Sequence, residues 1–194
     1  SVNPDVETGA FVSLDAIHCS NPKTVEKLLN LHFCNIMAKK MLVDQSLVEK
    51  IEMGMFSHKI DNGLKLRKAC FSFLFRLCKS EIFSIQPFIK AVIAGIGDEN
   101  EDVRYLATRI VREGIVGQGH SFLLTEFTQE LVASLEKSLK AFKFKSATIV
   151  QEKGANYQSL KSLVGLIDEL AKSQEFSSQA SIKALQADVQ NTPA

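Results

Sequence analysis

The chain contains no tryptophan, 2 tyrosines and only 4 prolines. Proline removes a backbone donor and breaks helix interiors, so its scarcity leaves long stretches without enforced breaks. The 4 cysteines, Cys19, Cys34, Cys70 and Cys78, form no C-x-x-C pair. They fall inside apolar, periodic segments and read as reduced core thiols. Excess charge is also missing. A formal net charge of +1 sets up no field that would recruit nucleic acid or an acidic membrane. The longest apolar stretches, Phe71–Cys78 and Ala91–Ile96, fall far short of the ~20 residues a spanning helix needs. Ser1 to Thr8 lacks the basic start and apolar block of a secretory signal. The expected compartments are therefore the cytoplasm and nucleus.

Catalytic patterns are missing as well. His18, His32, His58 and His120 show no H-E-x-x-H spacing and flank no nucleophile motif. His18-Cys19 and His32-x-Cys34 lack the ligand spacing of zinc sites. Gly95-Ile96-Gly97 and Gly117-Gln118-Gly119 follow no strand and carry no phosphate-loop lysine, so they read as helix ends. No enzymatic activity, cofactor or metal is expected.

What is present is helical. Of the 194 residues, 45% are hydrophobic, 23% are charged and 13 are phenylalanine, which suits helices packed on helices. Apolar residues recur at i, i+3, i+4 and i+7 almost throughout. Phe11, Leu14 and Ile17 mark a first helix, and Pro22 opens a second carrying Val25, Leu28, Leu29 and Leu31. Ile36, Met37, Val43 and Leu47 mark a third segment, with a break at Asp44–Ser46. Asp61-Asn62-Gly63 signals a turn or cap before a helix from Leu64 to about Lys79, expected to be buried nearly all round. Further helices are expected at 85–95 and 101–113, with a loop at 114–119. Others should start near Phe122, include Leu131–Leu139, and run from Tyr157 to Ala171, after a polar loop at 148–156.

One pattern occurs twice. Asp61 and Asp98 each open a polar turn, each has an Arg six residues on (Arg67 and Arg104), and an Ala and an apolar run follow. The 37-residue offset lies in the range of helical-hairpin repeats. Asp61 and Gly63, and likewise Asp98, are read as turn and cap residues, and Arg67 and Arg104 as inter-repeat pairing residues. The expected fold is all-α, a HEAT-like helical-repeat solenoid (α-α superhelix) fragment over 1–172. A polar tail or short capping helix follows at 173–194. An irregular helical bundle is the alternative.

Val48–Ile60 breaks the helical period, and two readings fit it. Ile51, Met53 and Met55 alternate with Glu52 and Gly54, while Phe56, His58 and Ile60 alternate with Ser57 and Lys59. That is the period of a short β-hairpin. Alternatively, Val43, Leu47 and Ile51 continue a helix that Gly54 ends, followed by a plain loop. An isolated hairpin is marginal in water, so one standing out from helices with Met and Phe on it is a candidate partner-binding tongue.

The ungapped run Ile51-Glu52-Met53-Gly54-Met55-Phe56-Ser57-His58-Lys59-Ile60-Asp61-Asn62-Gly63-Leu64-Lys65-Leu66-Arg67-Lys68-Ala69 resembles the C-terminal domain of one family. This is the cullin-associated, neddylation-dissociated family, also called TATA-binding-protein-interacting proteins. The resemblance continues more weakly from about Phe11 to Leu170. Met55 replaces a family proline, Ser57 a lysine and Asn62 an aspartate. The resemblance implies a long HEAT-repeat scaffold that wraps an unneddylated cullin and its RING subunit, of which this chain would be the last few repeats. It implies one protruding β-hairpin at about Val48–Ile60 that competes with the adaptor and substrate-receptor module. Receptors would thereby exchange on cullin–RING ubiquitin ligases. Carried over by motif, the contact residues are Glu52, Met53, Gly54, Met55, Phe56, His58 and Ile60.

Two rivals share the same residues. A HEAT-type scaffold for transport, phosphatase or transcription assembly needs only the helices. Nucleic-acid binding would use the run Lys137–Lys145, where Lys alternates with Phe142 and Phe144. The neutral overall charge favours a helix whose lysines extend over a buried Phe pair, so no nucleic-acid partner is expected.

Overall fold

The computed structural model describes residues 3–54, 56–79, 83–146 and 153–190, with backbone alone at 53, 56, 143–146, 153–156 and 190. It consists of helices and one two-stranded antiparallel hairpin, a helical-repeat fragment that divides into two compact units at Phe88/Ile89.

In the first unit α1 (Pro4–Ser20) begins well before Phe11. Asn3 caps it by accepting from the Asp5 amide at 2.9 Å, Pro4 takes the first helical turn, and Asp5 and Glu7 favour its positive end. The short α2 (Pro22–Glu26) and then α3 (Leu31–Lys40) follow, the latter capped by Asn30. Helix α3 stops at Lys40, so Val43 and Leu47 lie beyond it. Asp44 accepts from both the Ser46 hydroxyl and the Ser46 amide, which hold its carboxyl below the usual range and start a 3-10 turn instead.

Helix α4 (Leu64–Leu77) completes this unit. Lys40 at the end of α3 pairs with Glu7 at the start of α1 at 2.9 Å, so those two helices run antiparallel. Arg76 and Asp15 pair at 2.8 Å near the ends of α4 and α1, so those two run side by side in the same direction. Phe11 stands between its neighbours, 6.0 Å from the Phe33 ring and 6.2 Å from Phe73. Helix α4 presents a wide buried stripe (Leu66, Cys70, Phe71, Phe73, Leu74 and Leu77) but is not buried all round. Lys65 and Arg76 are exposed, and Lys79 lies over the half-buried Phe75 ring at 4.8 Å. Its long stem covers apolar surface while its charge reaches water.

Cysteine placement is mixed. Cys34 and Cys70 are buried and Cys78 is half-buried, while Cys19 lies at the surface, where the Arg76 guanidinium donates to its sulfur at 3.3 Å. The core assignment therefore fails for Cys19, which sits in the last turn of α1, on the side turned to solvent.

The second unit contains α5 (Ile89–Ile96), α6 (Glu101–Arg109), α7 (Thr128–Ser146), α8 (Lys153–Lys172) and α9 (Ala180–Gln190). Helix α5 buries Ile89, Ala91, Val92, Ile93 and Ile96. Asn100 caps α6, accepting from the amides of Asp102 and Val103. The loop expected from Gly114 is instead wound as a π turn over Ile110–Val116. Gly117 donates to the Arg112 carbonyl and His120 to that of Ile115, both five residues back. The wider winding brings residues five apart onto one side, so Ile110 and Ile115 are buried together. A 3-10 turn, Ser121–Phe127, leads into α7.

Lys153–Asn156, expected as loop, is the start of α8, because polarity without proline does not end a helix; 147–152 lies outside the described residues. Arg112 crosses Gly165 on α8, where a Cβ would stand 2.7 Å from its guanidinium carbon, and pairs with Glu169 at 2.8 Å. Helix α9 buries Ile182 and Leu185, and Gln186 donates to Asp168 at 3.0 Å.

Two expectations follow. Phe73→Ala, at a fully buried site, should lower unfolding free energy by about 3–5 kcal/mol. Val12→Ala, at an exposed one, should stay within about 0.5 kcal/mol, both read by urea denaturation. Burial also pushes the Cys78 thiol up to about 12 and the Cys70 thiol upward from the ordinary 9.0. The unfolded chain ionises first, so the protonated thiols contribute fully below about pH 9 and their contribution fades between about pH 9 and 12. Urea titrations across that range should show an alkaline decline that Cys70→Ala/Cys78→Ala reduces.

Candidate protein-binding hairpin

The segment that two readings fit is a hairpin. Strand β1 (Val48–Met53) pairs antiparallel with β2 (Phe56–Asp61), with Val48 opposite Asp61, Ile51 opposite His58 and Met53 opposite Phe56. Gly54 has φ +65°, a conformation that other residues adopt only with strain and that suits the first position of a tight hairpin turn. It therefore starts a turn rather than ending a helix.

Opposite positions in a ladder share a face. Positions 49/60, 51/58 and 53/56 thus belong to one side, and 48/61, 50/59 and 52/57 to the other. The first side gathers Ile51, His58 and Ile60 with Glu49. The second carries Lys50, Lys59, Glu52 and Ser57. Ile51 and Ile60 are each 42% exposed, and Glu52, Gly54 and His58 are exposed as well. Of the remaining expected contacts, Met53 and Phe56 are placed as the last backbone pair of the ladder, and Met55 lies outside the described residues.

The exposed ladder has a built root. The Asn62 amide donates to the Leu47 carbonyl at 3.0 Å, and its side chain donates to Glu49 at 3.0 Å. Asp61 accepts from the Gly63 amide through one oxygen at 3.0 Å and from Arg67 through the other at 2.8 Å. Arg67 is 3% exposed, so this charge is anchored inside the unit. Gly63 is the helix cap of α4 with φ −84°, an ordinary conformation. Its lack of a side chain matters for packing: a Cβ would meet the Leu47 methyl at 3.2 Å.

Asn62 and Leu47 were invisible as root residues in the sequence. Asn62 registered as part of a turn signal and as a departure from a family aspartate, yet an aspartate could not donate to Glu49 as the amide does. Only the strand register brings the two together.

The second unit repeats the device. Asp98 accepts from the Asn100 amide at 2.7 Å, and Arg104 donates to the carbonyls of Asp98 and Glu99 at 2.8 and 2.9 Å. Burial lowers the Arg104 guanidinium from its usual range, and the Phe142 ring lies 5.7 Å from it. Inter-repeat pairing was the expectation for these arginines; the bonds described within each unit close each one on its own loop. In the lysine run Phe142 is half-buried, while the side chains of Phe144 and its neighbours lie outside the description. Among the described residues, no group of three or more His, Cys, Asp and Glu is placed to hold a metal ion, and no helix is long and apolar enough to cross a membrane.

Residues 24–190 match the family described as TATA-binding protein interacting (TIP20). The chain belongs to this family. It is 23% identical over 189 residues to a cullin-associated NEDD8-dissociated protein 1 from Arabidopsis thaliana, covering 96% of this chain and 15% of that one. A Dictyostelium discoideum protein of the same name is 26% identical over 103 residues, 52% of this chain and 8% of its own length. An Emericella nidulans protein, named as the C-terminal part, is 26% identical over 135 residues, covering 67% and 12% respectively. The chain thus spans a small fraction of the relatives it matches. The TIP20 match takes in the hairpin, both Asp–Arg loops and α9.

Asp61→Ala should remove the Arg67–Asp61 bond and the Gly63 amide bond together and cost about 1–3 kcal/mol. The same variant should speed amide exchange at Gly63, measured by hydrogen–deuterium exchange.

Proposed function

We propose that this chain is the C-terminal part of a cullin-binding scaffold, and that its hairpin takes up surface which an adaptor and substrate-receptor module would otherwise cover. In this reading the partner is an unneddylated cullin with its RING subunit. Competition at the hairpin lets receptors exchange on the ligase, and no catalytic step is involved. The observation that carries the proposal is the pairing of a rigid root with an exposed ladder. Support for the partner comes from the relatives, whose names describe cullin association.

Magnitudes fit competition better than tight capture. A fully buried Ile contributes about 1.5–3 kcal/mol. Ile51 and Ile60 are already more than half covered, so each has roughly 1 kcal/mol left to gain. Together they supply about one decade of affinity or slightly more. The remainder of the grip falls to the turn, with Met53, Met55 and Phe56, and to surfaces elsewhere in a longer scaffold.

The test is a pull-down of cullin–RING complexes by this chain, with and without excess adaptor. Capture should be lost when adaptor is added, and Ile51→Ala/Ile60→Ala should weaken it about tenfold while circular dichroism stays unchanged. Capture that adaptor does not affect would place the hairpin away from the adaptor surface and overturn the proposal.

A further inference from the structure

The first unit has a second feature that the hairpin reading does not use. A cleft of about 600 Å3 opens where the C-terminal ends of α1 and α4 meet the start of α3. Leu29, Leu31, Leu77, Phe83 and Pro87 supply the apolar part of its walls. Its volume lies in the range of ligand-binding cavities rather than of packing voids.

Two polar groups define what would fit. His18 lines the cleft, is 9% exposed, and its Nδ1 has no hydrogen-bond partner. The Phe73 ring meets the imidazole edge-on at 6.3 Å and fixes its plane. A buried polar atom left without a partner is unfavourable, and an incoming polar group would relieve it. Among the described lining residues, Glu26 is the one formally charged side chain. The cleft therefore favours a cation and disfavours phosphate, which sets nucleic acid aside.

The surroundings indicate a chain rather than a compact molecule. Leu31, in the cleft wall, is 69% exposed, so the apolar surface runs out past the cavity. Asn35 and Gln86 line the cleft with amides able to bond a peptide backbone on both its donor and acceptor sides. A peptide could place one apolar side chain in the cavity, a basic one near Glu26 and further residues along the leucines.

We infer that this cleft binds a segment of a partner protein carrying an apolar side chain next to a Lys or Arg. The site is separate from the hairpin and does not rest on the cullin reading.

The test titrates the whole chain, labelled with 15N, with three blocked peptides: acetyl-Ala-Phe-Arg-Ala-amide, acetyl-Ala-Phe-Glu-Ala-amide and acetyl-Ala-Ser-Arg-Ala-amide. The Phe-Arg peptide should give saturable amide shifts at Leu29, Leu31 and Asn35 and should move the His18 ring-nitrogen resonances. The other two peptides should bind about tenfold more weakly. Glu26→Gln should weaken the Phe-Arg peptide alone, and Ile51→Ala/Ile60→Ala should leave it unchanged, which separates this site from the hairpin. The proposal is overturned if millimolar Phe-Arg peptide leaves the His18 signals in place, the mark of a cleft that holds only water. Equal binding of the Phe-Glu peptide would overturn it too.

Discussion

A guanidinium that has lost nearly all contact with water must find acceptors within the protein, because it cannot shed its charge. Arg67 and Arg104 are both in this position, 3% and 4% exposed, and each turns back onto the loop that precedes its own helix. The consequence is mechanical. The loop before α4 is held by an Asp that accepts from a backbone amide and from the arginine together. The loop before α6 is held by carbonyls drawn onto the same group. In the first unit that loop is also the foot of the hairpin, so the direction in which β2 leaves the helices is set by a bond inside the fold.

The sequence carried much of this in plain form. The Asp-x-x-x-x-Leu/Val-Arg echo, at an offset of 37 residues, corresponds to a loop-and-arginine device present in both units. Helix α4 was legible because its apolar side chains recur at helical spacing immediately after a turn signal. The period of two across Ile51–Ile60 made a hairpin one of two readings. Choosing between hairpin and helix end was harder, because Gly54 serves either purpose. The sign of its φ decides, and that is a property of the folded backbone.

Other elements were hidden for physical reasons. The π turn over Ile110–Val116 contains Gly114, a residue that normally signals a stop. What keeps the winding going is burial of Ile110 and Ile115 together, which only a wider turn permits. Asn3 and Pro4 start α1 through cap chemistry rather than apolar spacing. The surface position of Cys19 depends on which turn of α1 faces α4. The root contacts of Asn62 required the register, and the His18 cleft required the meeting of several helix ends far apart in sequence.

A sheet of two strands has two open edges and offers unpaired backbone groups to any extended chain that drifts by. The register places Lys50 directly across from Lys59, both exposed. Like charges facing each other weaken the ladder slightly. They also discourage stacking of identical ladders, since a second copy would bring further lysines onto the same line. The hairpin can therefore stand out in solution, apolar on one side, without serving as a seed for fibres of its own kind.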